Sequence, residues 1–162
     1  MEIPWQDPSA MTEIELFFSI LQRNRPTAFD RVRERAGQID RIISSLDPLL
    51  ENLCGLTCPH CTDNCCARAT IWYDFKDLLL LYFGPGAFPE KQVRKKRRAS
   101  GSVCGYLSEN GCALPRGSRP FVCTWYICQA QKNHVDYVRI QEQVMLIKQL
   151  RQEMEDLFIK AS

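Results

Sequence analysis

Nine cysteines lie between positions 54 and 128 of a 162-residue chain, and none lies outside that stretch. So dense a set has to be joined by disulfides, bound to metal, or buried as small apolar side chains. The N-terminal residues Met1–Asp7 lack the basic stretch and apolar run of a secretory leader. The longest uninterrupted apolar run, Leu78–Phe83, falls far short of the roughly 20 residues that cross a membrane. The chain is therefore expected to be soluble and cytoplasmic, with no membrane partner. In that reducing setting clustered cysteines are more often metal ligands or redox groups than disulfides.

The rest of the sequence is ordinary enough to fold around one core. Hydrophobic residues make up 45% of it, which argues against disorder and for a single domain over 1–162. The formal net charge of +2 is too small to make the whole protein a binder of polyanions.

Residues 1–53 read as N-terminal helices. Thr12 and Glu15 have capping-box spacing, and Ile14, Phe17, Phe18 and Leu21 follow on one face. After Pro26, Thr27 is expected to cap a second helix, with Asp30 in its first turn. Its apolar positions Val32, Ala36, Ile39, Ile43, Leu46, Leu50 and Leu53 alternate steps of three and four, a continuous stripe. Pro48 falls inside that stripe and predicts a kink, or a break capped by Asp47. Residues 54–128 hold the cysteines in loop-rich chain, interrupted by a short buried helix over Asp74–Phe83 that Gly84-Pro85-Gly86 ends. Residues 129–162 return to helix. From about Asn133 onward, Ile140, Val144, Ile147, Leu150, Met154 and Leu157 form an amphipathic stripe. The expected fold class is mainly α, with helices flanking an irregular, metal-binding cysteine core.

The cysteines form two groups. The first contains Cys54, Cys58, Cys61 and the adjacent pair Cys65-Cys66. The Cys58-x2-Cys61 spacing lets a tight turn aim two thiolates at one point, as in zinc knuckles and iron–sulfur sites. Neighbouring side chains such as Cys65 and Cys66 diverge, so one of them suits a second metal or another corner of one cluster. The second group, Cys104, Cys112, Cys123 and Cys128, is too widely spaced for a self-contained knuckle. Two four-thiolate sites, or one cluster plus spare cysteines, both remain open.

The ordered combination of these cysteines with Cys104-Gly-Tyr-Leu107, Gly111-Cys112-Ala-Leu114 and Arg119-Pro120-Phe-Val-Cys123 resembles the YkgJ-like cysteine-cluster family. That family is described as a zinc- or iron-chelating domain, and a related cluster occurs in flagellin lysine methylases. The resemblance covers about residues 54–128; three residues, Thr62-Asp63-Asn64, precede the double cysteine where the family has two. It implies metal binding through Cys58, Cys61, Cys65, Cys66, Cys104, Cys112, Cys123 and Cys128, with Cys54 as the odd one out, and it implies no particular reaction. Zinc comes first as the cofactor, because Leu56–Cys61 reads like a zinc knuckle and nothing matches a ferredoxin's regular cysteine run. An iron–sulfur cluster in electron transfer or a redox accessory role comes second.

Other features carry less. His60 is expected to be a solvent-facing turn residue and His134 a surface residue. With two histidines and neither a Gly-x-Gly-x-x-Gly, a phosphate loop nor a His-Glu-x-x-His, the sequence offers no catalytic set, so an enzyme is the least supported reading. Lys91–Arg98 carries six positive charges in eight residues. A nucleic-acid-binding module acting through this run is a further alternative, but a solvated connector is the preferred reading because no aromatics interleave the charges. Trp72, Tyr73, Tyr82, Tyr106, Phe121, Trp125 and Tyr126 are expected to shield the metal and complete the core. The C-terminal helix is long enough to pair with a protein partner or a second copy.

Overall fold

In a computed structural model, residues 2–4, 8–61, 65–68, 71–86, 88, 104, 106–108 and 111–162 are described. The chain is mainly helical. In order it forms β1 (Glu2–Pro4), α1 (Pro8–Asn24), α2 (Asp30–Thr57), α3 (Cys65–Arg68), β2 (Trp72–Asp74) and α4 (Phe75–Phe83). Then come β3 (Leu107–Ser108), β4 (Gly111–Cys112), α5 (Phe121–Trp125), α6 (Gln129–Lys132) and α7 (Tyr137–Ala161). Short 3-10 turns lie at Cys58–His60 and Arg116–Ser118. The basic run Lys91–Arg98 lies outside the described residues.

The frame is the pair α2 and α7. The buried residues of α2 are Val32, Ala36, Ile39, Ile43, Leu46, Leu50 and Leu53, the stripe that its spacing predicts. Those of α7 are Ile140, Val144, Ile147, Leu150, Arg151, Met154 and Phe158. Phe158 takes the place expected for Leu157, which is only half-buried. The two helices run antiparallel: Phe29, just before α2, packs on Phe158 near the end of α7, with ring centroids 5.5 Å apart. At the other end of α2, Cys54 meets Gln131, ahead of α7. At 1.5 Å per residue the two ends of α2 are about 40 Å apart. An aromatic knot of Phe18, Phe29, Phe75, Phe83 and Phe158 closes one end, and the cysteines occupy the other.

Several local expectations need correction. α1 begins at Pro8, before the Thr12 capping box, because a proline costs nothing in a first turn where N–H groups have no partner. Its buried face is Met11, Ile14 and Phe18, with Phe17 48% exposed, one residue out of phase with that 3–4 repeat. Thr27 does not cap α2. It lies in a turn in which Asp30 N–H donates to its carbonyl at 3.3 Å, and Phe29 precedes the helix without a side-chain cap. Pro48 does not break α2, which runs on to Thr57, past the expected boundary at residue 53, so that Cys54 is helical. Burying Leu46, Leu50 and Leu53 at about 1.5–3 kcal/mol each outweighs the roughly 3 kcal/mol cost of an internal proline. Asp47, freed from capping, binds Arg116 instead. α7 starts at Tyr137, later than Asn133, because Asp136 caps it by accepting from Arg139 N–H at 3.1 Å and residues 129–132 form their own turn.

The short elements attach to this frame. β1 pairs antiparallel with β2, Ile3 opposite Tyr73, a strand the sequence reading did not foresee. Asp74 then caps α4 in a reciprocal box with Asp77. At the far end of α4 a Cβ on Gly84 would stand 2.6 Å from the Leu80 carbonyl oxygen, so the chain turns away there only with glycine.

Candidate metal centre

The thiols are delivered by several short segments. Cys54 sits on the last turn of α2 and Cys58 opens the following 3-10 turn, whose closure Cys61 makes by donating its N–H to the Cys58 carbonyl at 3.2 Å. α3 carries Cys65 and Cys66. Cys104 N–H donates to the Cys66 carbonyl at 3.1 Å, which ties two segments far apart in sequence. The β3–β4 hairpin, with Leu107 opposite Cys112, presents Cys112. α5 carries Cys123, and Cys128 caps α6. No disulfide joins any of the nine.

Three of these thiols share one pocket, with a fourth beside it. Cys104, Cys112 and Cys123 line one small pocket with Ile71, Tyr73, Tyr106 and Arg119, and Cys66 packs against the same apolar cluster. Their mutual influence is electrostatic as well as steric. A hydrogen bond with Cys65, followed by burial and the nearby Cys104 and Cys123, pushes the Cys66 thiol far above its ordinary range. Burial, then Cys112 and Cys104, pushes Cys123 up to about 12, with Arg119 pulling the other way. Cys104 is raised by burial first and by Cys112 as well. For Cys66, Cys104 and Cys123 each shift favours the neutral thiol.

A second gathering lies at the end of α2. Burial, then Cys54, pushes the Cys58 thiol up to about 11, and Cys65 adds to it. Gln131, only 4% exposed, donates from its amide nitrogen to Cys54 Sγ and Cys58 Sγ, each at 3.8 Å. The two sequence groups therefore mix: Cys66 packs with Cys104, Cys112 and Cys123, while the Cys128 backbone N–H donates to the same Gln131 amide that contacts Cys54 and Cys58. Cys61 is exposed, and its described contact is the backbone one.

The pocket is held by charged residues that sequence reasoning missed. Arg116 is buried, with Nε to Asp47 at 2.7 Å, Nη2 to Glu51 at 2.5 Å and Nη1 to the Thr124 carbonyl at 3.1 Å. Arg119 pairs with the same Glu51 at 2.8 Å and donates to the Leu114 carbonyl at 2.8 Å. Tyr73 hydroxyl donates to the Ser118 carbonyl at 2.9 Å. Arg151, on the buried stripe of α7, reaches Asp77 Oδ1 at 2.7 Å and both oxygens of Asp74. The same Asp77 oxygen accepts Phe121 N–H at 3.0 Å, two residues before Cys123. Burial pushes the Asp77 carboxyl up while Arg151 opposes the shift. The available signal was Arg151 itself, a charge four residues after Ile147 on an otherwise apolar stripe.

The aromatic expectations divide. Tyr73 and Tyr106 line the pocket, and Tyr82, Phe121 and Trp125 pack on the main core. Trp72 and Tyr126 do neither, at 42% and 50% exposed. His134 is exposed as expected, and His60 ends the 3-10 turn.

As donors, four thiols from chain with little regular structure suit a thiophilic ion. Among the described residues, however, no three His, Cys, Asp or Glu side chains are arranged to hold a metal ion as they stand. Among them, too, no helix is long and apolar enough to cross a membrane. No family model matches the chain, and no curated protein or solved structure matches it.

Proposed function

We propose that the chain is a metal-binding protein of the YkgJ-like kind that chelates zinc through its cysteine cluster. One observation supports the reading: Cys104, Cys112 and Cys123 line one small pocket, and Cys66 packs against the same apolar cluster. As core packing alone this would be poor design, since among the described residues Ile71, Tyr106 and Leu114 join Cys104 as the buried members of that cluster. As a ligand set it is economical, because a structural zinc site contributes about 10 kcal/mol or more to folding the segments that hold it. A bound dication replaces the thiol protons, and sulfurs that are kept apart as neutral thiols draw toward one centre.

The test is the colour and metal content of full-length protein purified without oxygen. Colourless protein with stoichiometric zinc supports the reading. Brown protein with about stoichiometric iron and sulfide moves the same pocket to an iron–sulfur cluster. Protein that binds neither with Cys66 and Cys123 intact refutes it.

A further inference from the structure

α1 carries two apolar faces. Met11, Ile14 and Phe18 turn inward and are buried. Leu16, Phe17 and Ile20 lie about half a turn round the helix from them and stand 59%, 48% and 48% exposed. A helix on the outside of a domain ordinarily turns polar residues away from the core. On this one the outer stripe runs Glu13, Leu16, Phe17, Ile20, Arg23 and Asn24 at steps of three and four, all exposed, with opposite charges at its two ends. Phe17 also leans on the buried Phe18, ring centroids 5.7 Å apart, so the stripe is braced from within. The outer side of α7 is different. Its exposed Val138 and Met145 are separated by Glu142, and Gln149 and Gln152 follow, hydrogen-bonded to Glu153 and to Glu155 and Asp156.

We propose that the outer stripe of α1 is a contact between two copies of this chain, packed antiparallel about a twofold axis level with Phe18. A twofold contact has to be complementary to itself, because when one residue meets a second on the other copy, the second meets the first. In such a pair, positions equally far before and after Phe18 face each other. Leu16 then lies against Ile20 of the second copy, and the two Phe17 rings meet beside the axis. Glu13 and Arg23 are equally far from Phe18 as well, so the carboxylate of each copy stands level with the guanidinium of the other. A parallel pair would set Glu13 on Glu13 and Arg23 on Arg23, and a lipid surface would impose no charge rule on the ends of the stripe. The charges therefore favour a second copy in the antiparallel sense. A contact of one helix face, about 25 Å long, belongs to the small class of interfaces, so the dimer is a weak one that forms with rising concentration. Nothing in this depends on the metal-binding reading.

Sedimentation equilibrium of the full chain tests it, at concentrations up to about 1 mM. A non-chelating phosphine keeps the exposed Cys61 from forming disulfides between copies. The mass is expected to rise from 18.7 kDa toward twice that value. Ile20→Glu should hold it at 18.7 kDa with thermal unfolding unchanged, since Ile20 lies outside the buried core. Glu13→Lys and Arg23→Glu should each weaken self-association about tenfold, because each places two like-charged pairs in the contact. Mixed together, these two variants should associate with each other as the unmutated chain does, since both pairs are then opposite in charge again. A mass of 18.7 kDa at every concentration would overturn the proposal, and capture of that monomer by phosphatidylcholine vesicles would give the stripe to a lipid surface instead. A dimer that survives Ile20→Glu would also overturn it, as would charge variants that do not recover on mixing. If Ile20→Glu fails to fold, the mixing result at the exposed Glu13 and Arg23 decides.

Discussion

Along α2 and α7 every buried side chain except Arg151 is apolar and recurs at three or four residues, whereas the pocket gathers four thiols around Ile71, Tyr106 and Leu114. At about 1.5–3 kcal/mol per fully buried large apolar side chain, the helical pair closes on hydrophobic burial alone. Among the described residues the pocket cluster has few such side chains to set against a conformational entropy cost of about 1–2 kcal/mol per ordered residue. Each region is thus stable for a different reason, and one can be perturbed without the other.

If the cysteines hold metal as proposed, its removal should give the largest and most one-sided effect. Amides of Cys104, Tyr106 and residues 111–125 should exchange faster by orders of magnitude, while those of α2 and α7 change little. Equal acceleration in both, measured by hydrogen–deuterium exchange, would mean the regions are one cooperative unit. Arg151→Met comes next, at about 3–5 kcal/mol in urea unfolding, because it leaves Asp77 buried without its partner. This loss should appear in both regions, since Asp77 also holds Phe121. Ile147→Ala should cost about 2–4 kcal/mol, with the ion count unchanged once the protein is folded. Arg116→Met is expected to cost less, about 1–3 kcal/mol: Asp47 and Glu51 are solvated, and only the Thr124 carbonyl loses a buried donor. Its loss of exchange protection should be confined to residues 111–125, and loss along α2 as well would blur the distinction.

The same contrast explains what could be read in advance. A helical stripe is written in neighbours three and four residues apart, so all seven buried residues of α2 were legible, as were Ile140, Val144, Ile147, Leu150 and Met154 of α7. The choice of Phe158 over Leu157 was not, because both lie one turn beyond Met154 and only the rings of Phe18, Phe29 and Phe83 decide between them. The clustering of the cysteines could be read from their number and spacing. Which of them meet was hidden, because Cys66 reaches Cys104 across a backbone hydrogen bond that no local pattern encodes. β1 was hidden for the same reason, its partner being some seventy residues away. Arg116 carried no local signal, since its partners Asp47 and Glu51 lie far away in sequence, whereas Arg151 interrupts an otherwise apolar stripe.

The antiparallel packing of α2 on α7 also sets a timetable for synthesis. Roughly 80 residues separate the end of α2 from the start of its partner, so at about 5–20 residues per second the α2 stripe waits on the order of ten seconds before α7 exists. During that interval seven apolar side chains have no permanent cover, and the nine cysteines emerge beside them still unassembled. The nascent chain therefore passes through a state in which the α2 stripe lacks its α7 partner, and the arrival of the last helix ends it.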